Sequence, residues 1–322
     1  MGNSPRVAIA APVIGVDVGG TKILAVVGLD RQPMARAEVT TAGGDVVASI
    51  MSVIDNVVSA VGATGPAAIG VGLAGFISPA GMALQSANVP ALVGIDVPGR
   101  LRERYGVGVS VDNDANCVAL AAARIDAPGV DNVIAVTLGT GIGGGLIVDG
   151  RLVRGAHGFA GEPGHMIVDV GGPECPCGQR GCWEVYASGN GLARLARQAV
   201  AQGRAPTLLD AAAGDLDGVD ARLTGRLLAD GDPAAAAIFD EFAGWVAVGI
   251  VNLVNLLDPS VVILGGGLVR EGEALLGRIR KRLATYPTFG GGREVDVRAS
   301  TVGHLAGAIG AAMVAGDLLA GH

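Results

Sequence analysis

Two segments of the chain align with each other without gaps and constrain the fold more than any other feature. They are VIGVDVGGTKILAVVGLD at 13–30 and VIAVTLGTGIGGGLIVDG at 133–150, with four identical positions that include Gly19 and Gly139. In each, a β-branched run leads through a Gly/Thr turn into a second apolar run, which is the pattern of a β-hairpin with a glycine turn. The repeat predicts two related halves, which we expect to face each other across a cleft.

Strand and helix patterns alternate through the rest of the chain. Apolar residues at helical spacing, or runs of small residues, predict helices at 45–61, 115–124, 242–257 and 305–319. Apolar runs that end in glycine or in polar residues predict further strands at 67–75, 107–116 and 260–268. This order is that of an α/β fold, in which binding sites form where the strands end.

The size and composition of the chain suit two domains. We expect a small N-terminal domain over 1–118, joined by the C-terminal helix at about 304–322, and a large domain over 119–303 of the 322 residues. Half of the residues are hydrophobic but only 3% are aromatic, which suits closely packed α/β layers. The net charge of −7 argues against a nucleic-acid partner.

The apolar segments predict no membrane partner. The longest apolar run, 242–257, is shorter than a bilayer span and carries two asparagines. The start, MGNSPRVAIAAPVIGV, resembles a secretion leader, but Pro12 interrupts its apolar run, which continues into the first hairpin. Four cysteines, three of them clustered, are not a disulfide framework. We therefore expect a cytoplasmic protein.

The segment ECPCGQRGCWE at 174–184 holds three of the four cysteines. Cys175, Cys177 and Cys182, with His165 ten residues before the first of them, form the donor set of a tetrahedral zinc site. A disulfide between Cys175 and Cys177 would be strained, and a redox pair would have two residues between its cysteines. A buried thiol cluster is the alternative, although the loop is polar and rich in glycine. Four protein ligands predict a structural ion.

Two carboxylates flank this predicted zinc site. Glu162 lies three residues before His165, and Glu184 lies two residues after Cys182. An ion that orders the loop would hold both carboxylates in place. Such an arrangement resembles a rigid frame for hydroxyl groups more than a hydrolytic centre.

Both hairpins have turns that suit phosphate binding: GVDVGGTK at 15–22 contains the first glycine turn (19–22), and LGTGIGGG at 138–145 the second (139–143). Successive N–H groups in such turns bind anions. LGGG at 264–267 is a third glycine site, suited to a nucleotide base or ribose. A single turn of this kind would more often be structural only; two of them favour phosphate binding. The predicted nucleotide-binding residues are Asp17 (through Mg²⁺), Gly19, Gly20, Thr21, Lys22, Gly139, Thr140, Gly141, Gly143, Gly265 and Gly266.

Other nucleotide-binding motifs fit less well. No G-x4-G-K-[ST] sequence is present, so neither turn is a P-loop. The first glycine turn is followed by an apolar run rather than directly by a helix, which disfavours a dinucleotide-binding fold.

The sequence VDNDAN at 111–116 offers two carboxylates at the end of a strand, Asp112 and Asp114. Phosphoryl transfer to an alcohol needs a carboxylate that positions the hydroxyl and takes its proton. Alternation along a strand puts both aspartates on the same side, so spacing does not choose between them. Alternatively, either one simply caps the helix that starts at Ala115.

In this order, the motifs GVDVGGTK, NDAN, LGTGIGGG, GEPGH and CPCGQRGCWE resemble the ROK family of sugar kinases, and within it the bacterial glucokinases. The resemblance covers about residues 13–310. It implies a two-domain actin-like ATPase (ribonuclease H-like) fold with an interdomain cleft that binds ATP and sugar. It also implies Mg²⁺, a structural Zn²⁺, and a homodimer or homotetramer.

The resemblance assigns the catalytic base to Asp114, in NDAN. The sugar-binding residues that it implies are Gly75, Asn88, Asn113, Asp114, Glu162, His165 and Glu184. His165 would use one ring nitrogen for zinc and the other for the sugar. The chain departs from the family pattern at LAGF (73–76), where P-G is frequent, at Asp112, where Glu is common, and at Pro163, where an aliphatic residue is usual.

The expected activity is ATP:hexose 6-phosphotransfer, with glucose converted to glucose 6-phosphate. The alternatives within the family are kinases of N-acetylmannosamine, N-acetylglucosamine, fructose or mannose. Polyphosphate donors are expected with enzymes that lack the cysteine loop. A non-enzymatic ROK regulator would need a DNA reader, for which we expect the dozen residues before Val13 to be too few. A purely structural zinc module would leave the glycine turns without a purpose.

Overall fold

The computed structural model describes residues 11–41, 44–86, 88–286 and 296–321, so most of the segment considered as a secretion leader lies outside the described residues. The strands are β1 (Val13–Val18), β2 (Lys22–Val27), β3 (Ala35–Thr40), β4 (Ala68–Leu73), β5 (Phe76–Ile77), β6 (Ala83–Gln85), β7 (Gly108–Asn113), β8 (Val133–Leu138), β9 (Ile142–Val148), β10 (Arg151–Leu152), β11 (Val261–Gly265) and β12 (Asp296–Ala299).

The helices are α1 (Val46–Ala60), α2 (Val97–Tyr105), α3 (Asp114–Asp126), α4 (Glu184–Ala187), α5 (Gly189–Ala201), α6 (Pro206–Ala211), α7 (Ala221–Ala229), α8 (Pro233–Leu257), α9 (Glu273–Leu283) and α10 (Ala306–Ala320). Short 3₁₀ helices occupy Pro90–Leu92, Pro163–His165, Gly267–Glu271 and Gly303–Leu305. Each helix and strand predicted from spacing is present, with ends that differ by a few residues, except that the 242–257 helix begins nine residues earlier, at Pro233.

Two five-stranded sheets have the same strand order, β3-β2-β1-β4-β7 and β10-β9-β8-β11-β12. In the first, β1 is antiparallel to β2 and parallel to β4, and β4 is parallel to β7. In the second, β11 is parallel to both β8 and β12. The two segments that align in the sequence, 13–30 and 133–150, contain β1–β2 and β8–β9. They occupy equivalent places in the two sheets, which confirms the repeat.

The chain divides into two compact units. The first unit consists of Met1–Asp131, Gly145–Gly161 and Thr301–His322, and the second of Asn132–Gly144 and Glu162–Ser300. The domain bounds predicted from the sequence stay a prediction.

Helix α10 packs tightly against β1, β4 and α3 within the first unit. A Cβ atom on Gly15 of β1 would lie 1.9 Å from the backbone oxygen of Ala308, and one on Gly70 of β4 would lie 1.8 Å from that of Ala311. Backbone therefore meets backbone at this contact, which only glycine permits. The small residues of this helix, which carry little periodicity in the sequence, are explained by the closeness of the contact.

The opposite face of the first sheet is covered by α1, whose predicted helical spacing is confirmed. Asp45 is the N-cap, and its side chain accepts hydrogen bonds from the N–H groups of Val47 and Ala48. The buried residues of the helix follow a single stripe: Val46, Val47, Ile50, Val53, Ile54, Val57 and Val58.

Two helical segments are long and apolar enough to cross a membrane, Pro233–Leu257 and Gly303–Ala320. Of their most apolar stretches, 56% and 61% respectively are buried inside the protein. The helix that contains the apolar run at 242–257 is thus longer than the sequence predicted and long enough to span a bilayer, but more than half of the apolar stretch of each segment packs inside the protein, as in a core helix.

Candidate functional site

The first unit brings one group of predicted site residues to one edge of its sheet. Strands β1, β4 and β7 are parallel neighbours, so their carboxyl ends lie at the same edge. Asp17 lies near the end of β1, and Asn113, the last residue of β7, donates from Nδ2 to the Gly75 backbone oxygen at 2.9 Å. A Cβ on Gly20 would lie 2.8 Å from the Asn88 backbone oxygen. The edge thus holds residues predicted for sugar beside residues predicted for phosphate.

The turn from β7 into α3 places Asp114 at the first helical position. Asn113 is the N-cap, and its Oδ1 accepts a hydrogen bond from the Asn116 backbone N–H at 3.0 Å. The alternative that an aspartate caps this helix is therefore wrong. Asp114 accepts a hydrogen bond from the Ala115 N–H at 2.9 Å, and the positive end of the helix dipole favours its ionised form.

Asp112, the other aspartate that spacing left open, is engaged in structural contacts. Its buried carboxylate accepts from Arg154 Nε at 2.7 Å through Oδ2, and from Asn116 Nδ2 at 2.9 Å and the Asn113 N–H at 2.8 Å through Oδ1. These contacts hold the turn that precedes Asp114. Sequence reasoning missed Arg154, because nothing in the residues near Asp112 indicates a partner 42 positions away.

The electrostatic environment of this edge is set by two carboxyl groups that are near each other. Burial and, to a smaller extent, the charge of Asp114 raise the pKa of Asp17, and Lys22 opposes the shift; together they bring the pKa to about 6. Burial also raises the pKa of Asp114, against the hydrogen bond from Ala115. Lys22 Nζ lies 2.8 Å from Glu38 Oε2 in a half-exposed ion pair. Two carboxylates in such a place suit a proton acceptor and a divalent cation.

The second unit gathers the other predicted nucleotide-binding glycines. Strands β8 and β11 are parallel neighbours, so the second glycine turn and Gly265 follow adjacent strand ends. Gly266 has φ +92°, and a Cβ there would lie 2.4 Å from the Leu138 backbone oxygen. This position requires glycine for both reasons, and it places the third glycine site directly against the end of β8.

Glu184 contacts the second glycine turn. Its Oε2 accepts from the Ile142 N–H at 2.8 Å, and a Cβ on Gly141 would lie 2.1 Å from the same oxygen. The N–H of Gly189, which opens α5, donates to the Gly139 backbone oxygen at 2.7 Å. A residue predicted to bind sugar therefore also supports a predicted phosphate loop, a link that the sequence did not reveal.

The four predicted zinc ligands lie together in the second unit. The ligand atoms of His165, Cys175, Cys177 and Cys182 are all within 4.8 Å of one another. The Sγ atoms of Cys177 and Cys182 are 3.6 Å apart, and His165 Nδ1 is 3.9 Å from Cys175 Sγ. Zn–S bonds of about 2.3 Å in a tetrahedron put the sulfurs about 3.8 Å apart. The donor set fits a tetrahedral zinc ion in composition and spacing.

The cysteine loop is anchored to the rest of the second unit by tight contacts. Gly181 has φ +68°, and a Cβ there would lie 1.6 Å from the Asp169 backbone oxygen. The Tyr186 hydroxyl donates to Asp169 Oδ2 at 2.6 Å. The buried Trp183 ring lies against α8, where a Cβ on Gly249 would be 2.0 Å from it. The ligands are therefore held by a packed frame as well as by any ion.

Glu162 directly precedes the short 3₁₀ helix of the GEPGH motif, and His165 is its last residue. The backbone N–H of His165 donates to the Glu162 carbonyl at 3.2 Å. Pro163, one of the departures from the family pattern, is buried, and a Cβ on Gly144 of β9 would lie 2.6 Å from its Cγ. The proline ring thus fills the space above a glycine in the neighbouring strand.

A profile described as the ROK family matches residues 13–317. The chain belongs to the ROK family. A glucokinase of Streptomyces coelicolor is 37% identical over 316 residues, covering 94% of this chain and 96% of that protein. A glucokinase of Thermotoga maritima is 33% identical, covering 96% of this chain and 98% of that protein.

Among solved structures, a ROK family glucokinase from Streptomyces griseus in complex with glucose and AMPPNP superposes with a TM-score of 0.79. It is 36% identical, covering 95% of this ROK chain and 100% of the solved one. The predicted fold class, α/β of the actin-like ATPase type, is confirmed, and the two sheets of equal strand order are its core. The roles of individual site residues stay predictions.

Proposed function

We propose that this protein transfers the γ-phosphoryl group of ATP to the 6-hydroxyl of a hexose, and that the hexose is glucose. The observation that carries the proposal is the state of the two aspartates at the end of β7. Asp112 is neutralised by Arg154, whereas Asp114, beside Asp17, has no cationic partner among the described residues. The names of the similar proteins, and the glucose and AMPPNP in the Streptomyces griseus complex, support the same activity.

Asp114 is the proposed base. A carboxylate at this position orients the sugar hydroxyl and accepts its proton as the oxygen attacks the γ-phosphorus in line. A pKa raised by burial makes the Asp114 carboxylate a stronger proton acceptor than a solvated aspartate.

The proposed nucleotide site uses Asp17 and the glycine turns. Asp17 suits a hydrated Mg²⁺, which when bound would neutralise charge on the transferred phosphoryl group. The backbone N–H groups of the first and second glycine turns, with the hydroxyls of Thr21 and Thr140, are the proposed phosphate donors. Lys22 can turn from Glu38 to a phosphate, because their exposed ion pair contributes little to stability. Gly265 and Gly266 are the proposed contacts of the nucleoside.

The proposed sugar contacts are Gly75, Asn88, Asn113, Glu162, His165 and Glu184. The structural zinc that we propose for the cysteine loop would supply rigidity and no chemistry. His165 turns Nδ1 toward the thiols, so Nε2 remains for a sugar hydroxyl and is held as the N–H tautomer when Nδ1 is a ligand.

The choice of sugar is tested by a coupled assay with ATP against glucose, mannose, fructose, N-acetylglucosamine and N-acetylmannosamine. We expect the highest kcat/KM with glucose, and polyphosphate in place of ATP should give little turnover. A higher value with an N-acetylated sugar would reassign the substrate within the family. Binding of ATP and sugar with no phosphorylation of any of them would favour a sugar-binding regulator.

We further propose a cytoplasmic location and a homodimer or homotetramer. Sedimentation velocity of the purified protein tests the assembly, and a single species at the monomer mass would contradict it.

A further inference from the structure

An open cavity of about 1000 Å³ lies within the first unit, at the edge strand β7 and outside the glycine turns. It is bordered by β7, by the last turns of α3 and α10, by α2 and by the segment around β10. No residue of the motifs that carry the family resemblance lies in its lining, although Asp112, next to the NDAN motif, does. The cavity therefore lies outside the residues proposed for ATP and for the sugar hydroxyls.

The lining holds four arginines against three aspartates (Asp112, Asp149 and Asp317), although the chain as a whole carries a net charge of −7. Arg124 is neutralised by Asp317, with contacts of 2.9 and 2.8 Å to its two oxygens. Arg102 and Arg151 are exposed, and neither side chain has a partner within the described residues. Among the described residues, Arg154 contacts a side chain only through Nε, toward Asp112, so its two terminal nitrogens can donate to a ligand.

A buried hydroxyl provides a second, independent sign of a ligand. Ser110, on β7, lines the same cavity, and its Oγ is buried without a hydrogen-bond partner in the described structure. A buried hydroxyl without a partner has an uncompensated desolvation cost, and a hydrogen bond with a ligand would remove that cost. The cavity therefore offers charged donors for an anion and a hydroxyl for a neutral polar group.

We propose that this cavity binds a phosphorylated sugar or polyol, with its phosphate on Arg102 and Arg151 and its hydroxyls near Ser110. Guanidinium groups recognise phosphate through paired N–H donors, which favours arginine over lysine for this purpose. A cavity of this volume accommodates a molecule of that size. Arg154 connects the cavity to the Asp112 carboxylate, and hence to the turn that carries Asp114. A ligand phosphate that draws Arg154 away from Asp112 would change turnover.

The test is isothermal titration of the full-length protein with glycerol 3-phosphate, inorganic phosphate and glycerol. Saturating glucose and a non-hydrolysable ATP analogue are present, so that the proposed active site is filled. We expect glycerol 3-phosphate to bind at one site per chain, inorganic phosphate more weakly, and glycerol not at all. Because the readout is binding, the result does not depend on which sugar the enzyme phosphorylates.

The variants Arg102→Ala/Arg151→Ala and Ser110→Ala locate the site. We expect the double variant to weaken glycerol 3-phosphate binding by about tenfold or more, since charge-assisted hydrogen bonds are lost. Ser110→Ala should weaken glycerol 3-phosphate and leave inorganic phosphate unchanged. The matched control is Arg222→Ala/Arg282→Ala, which removes two exposed arginines of the second unit and should change neither affinity.

Three outcomes would overturn the proposal. The first is that glycerol 3-phosphate shows no saturable binding. The second is that the double variant and its control lose glycerol 3-phosphate affinity equally. The third is that the wild-type protein binds neither phosphate compound while the double variant sediments differently from it. The last would assign the cavity to contact with a second copy of the chain.

Discussion

Glu184 Oε2 accepts a hydrogen bond from the Ile142 N–H at 2.8 Å, so a residue that directly follows the cysteine loop contacts the second glycine turn. If this contact orders the turn, Glu184→Ala should raise the KM for ATP as well as that for glucose. A hydrogen bond to a charged group contributes about 1.5–3 kcal/mol, which corresponds to about 10- to 100-fold in affinity. Glu184→Gln keeps an acceptor oxygen and should restore ATP affinity more than glucose affinity. A change in the KM for glucose without a change in the KM for ATP would mean that Glu184 contributes to sugar binding only.

Asp114→Asn should lower kcat by about 10²–10⁴ and leave glucose affinity within a few fold, because the amide keeps the shape but cannot take a proton. Asp112→Asn is the comparison, since it removes the charge that pairs with Arg154. It should lower the midpoint of thermal unfolding and affect kcat less. Steady-state kinetics and glucose titration distinguish the two. A larger kcat loss for Asp112→Asn would move the base to Asp112.

Removal of a predicted zinc ligand should abolish metal binding. Wild-type protein purified without chelator should contain about one zinc per chain by elemental analysis, and Cys177→Ser should contain almost none and lose glucose affinity. Cys117→Ala is the control, because this fourth cysteine is buried on α3, outside the cluster, and its zinc content should stay at the wild-type level. Full activity in metal-free Cys177→Ser protein would show that the packing around Trp183 orders the cysteine loop without an ion.

Asp17→Asn should stabilise the protein at neutral pH while abolishing catalysis. The pKa of Asp17 is about 6 in the folded state against 3.8 as the ordinary value, so the folded protein binds more protons than the unfolded one between these values. The free energy of unfolding contributed by this group therefore falls as pH rises through that window, by up to about 3 kcal/mol. Urea unfolding at several pH values without Mg²⁺ should give Asp17→Asn a larger free energy of unfolding than the wild type above pH 6, and this difference should vanish near pH 4. A difference in the free energy of unfolding that does not change with pH would contradict the raised pKa of Asp17.

Gly307→Ala should impair catalysis through Asp17. A Cβ at this position of α10 would lie 2.6 Å from Asp17 Oδ2, so the carboxylate must move. Gly316→Ala, on the same helix, is the matched control, because its Cβ would meet only Leu29 Cδ1 at 3.9 Å. The control should gain about 0.5–1 kcal/mol of stability from the helix propensity of alanine and keep its activity. Equal kcat values for the two variants would mean that the position of Asp17 is not critical.

Much of the fold could be predicted from the sequence, because the patterns that determine it are local. Apolar spacing predicted α1, the apolar half of α8 and the strands that end in glycine, and the gapless alignment of two hairpins predicted a duplicated sheet. The grouping of the four possible metal ligands could be predicted for the same reason, since the three cysteines lie within eight residues and the histidine ten residues before them.

The contacts that organise the sites could not be predicted from the sequence, because they join residues far apart in the chain. Arg154 reaches Asp112 across 42 positions, and Glu184 reaches Ile142 across the same separation. The ion pair of Lys22 with Glu38 depends on the pairing register of β2 and β3, which a polar edge strand specifies weakly. Each of these contacts changes the role that a residue type alone would suggest.

By itself, the sequence determined the α/β class, the duplicated hairpins, the zinc donor set and the short list of carboxylates suited to phosphoryl transfer. Only the tertiary structure shows which of the carboxylates of 112 and 114 a distant arginine contacts: Arg154 pairs with Asp112, and the proposed role of Asp114 depends on that difference. Periodicity records which face of an element is buried, whereas a side chain's charge state and partners depend on what the fold brings against it.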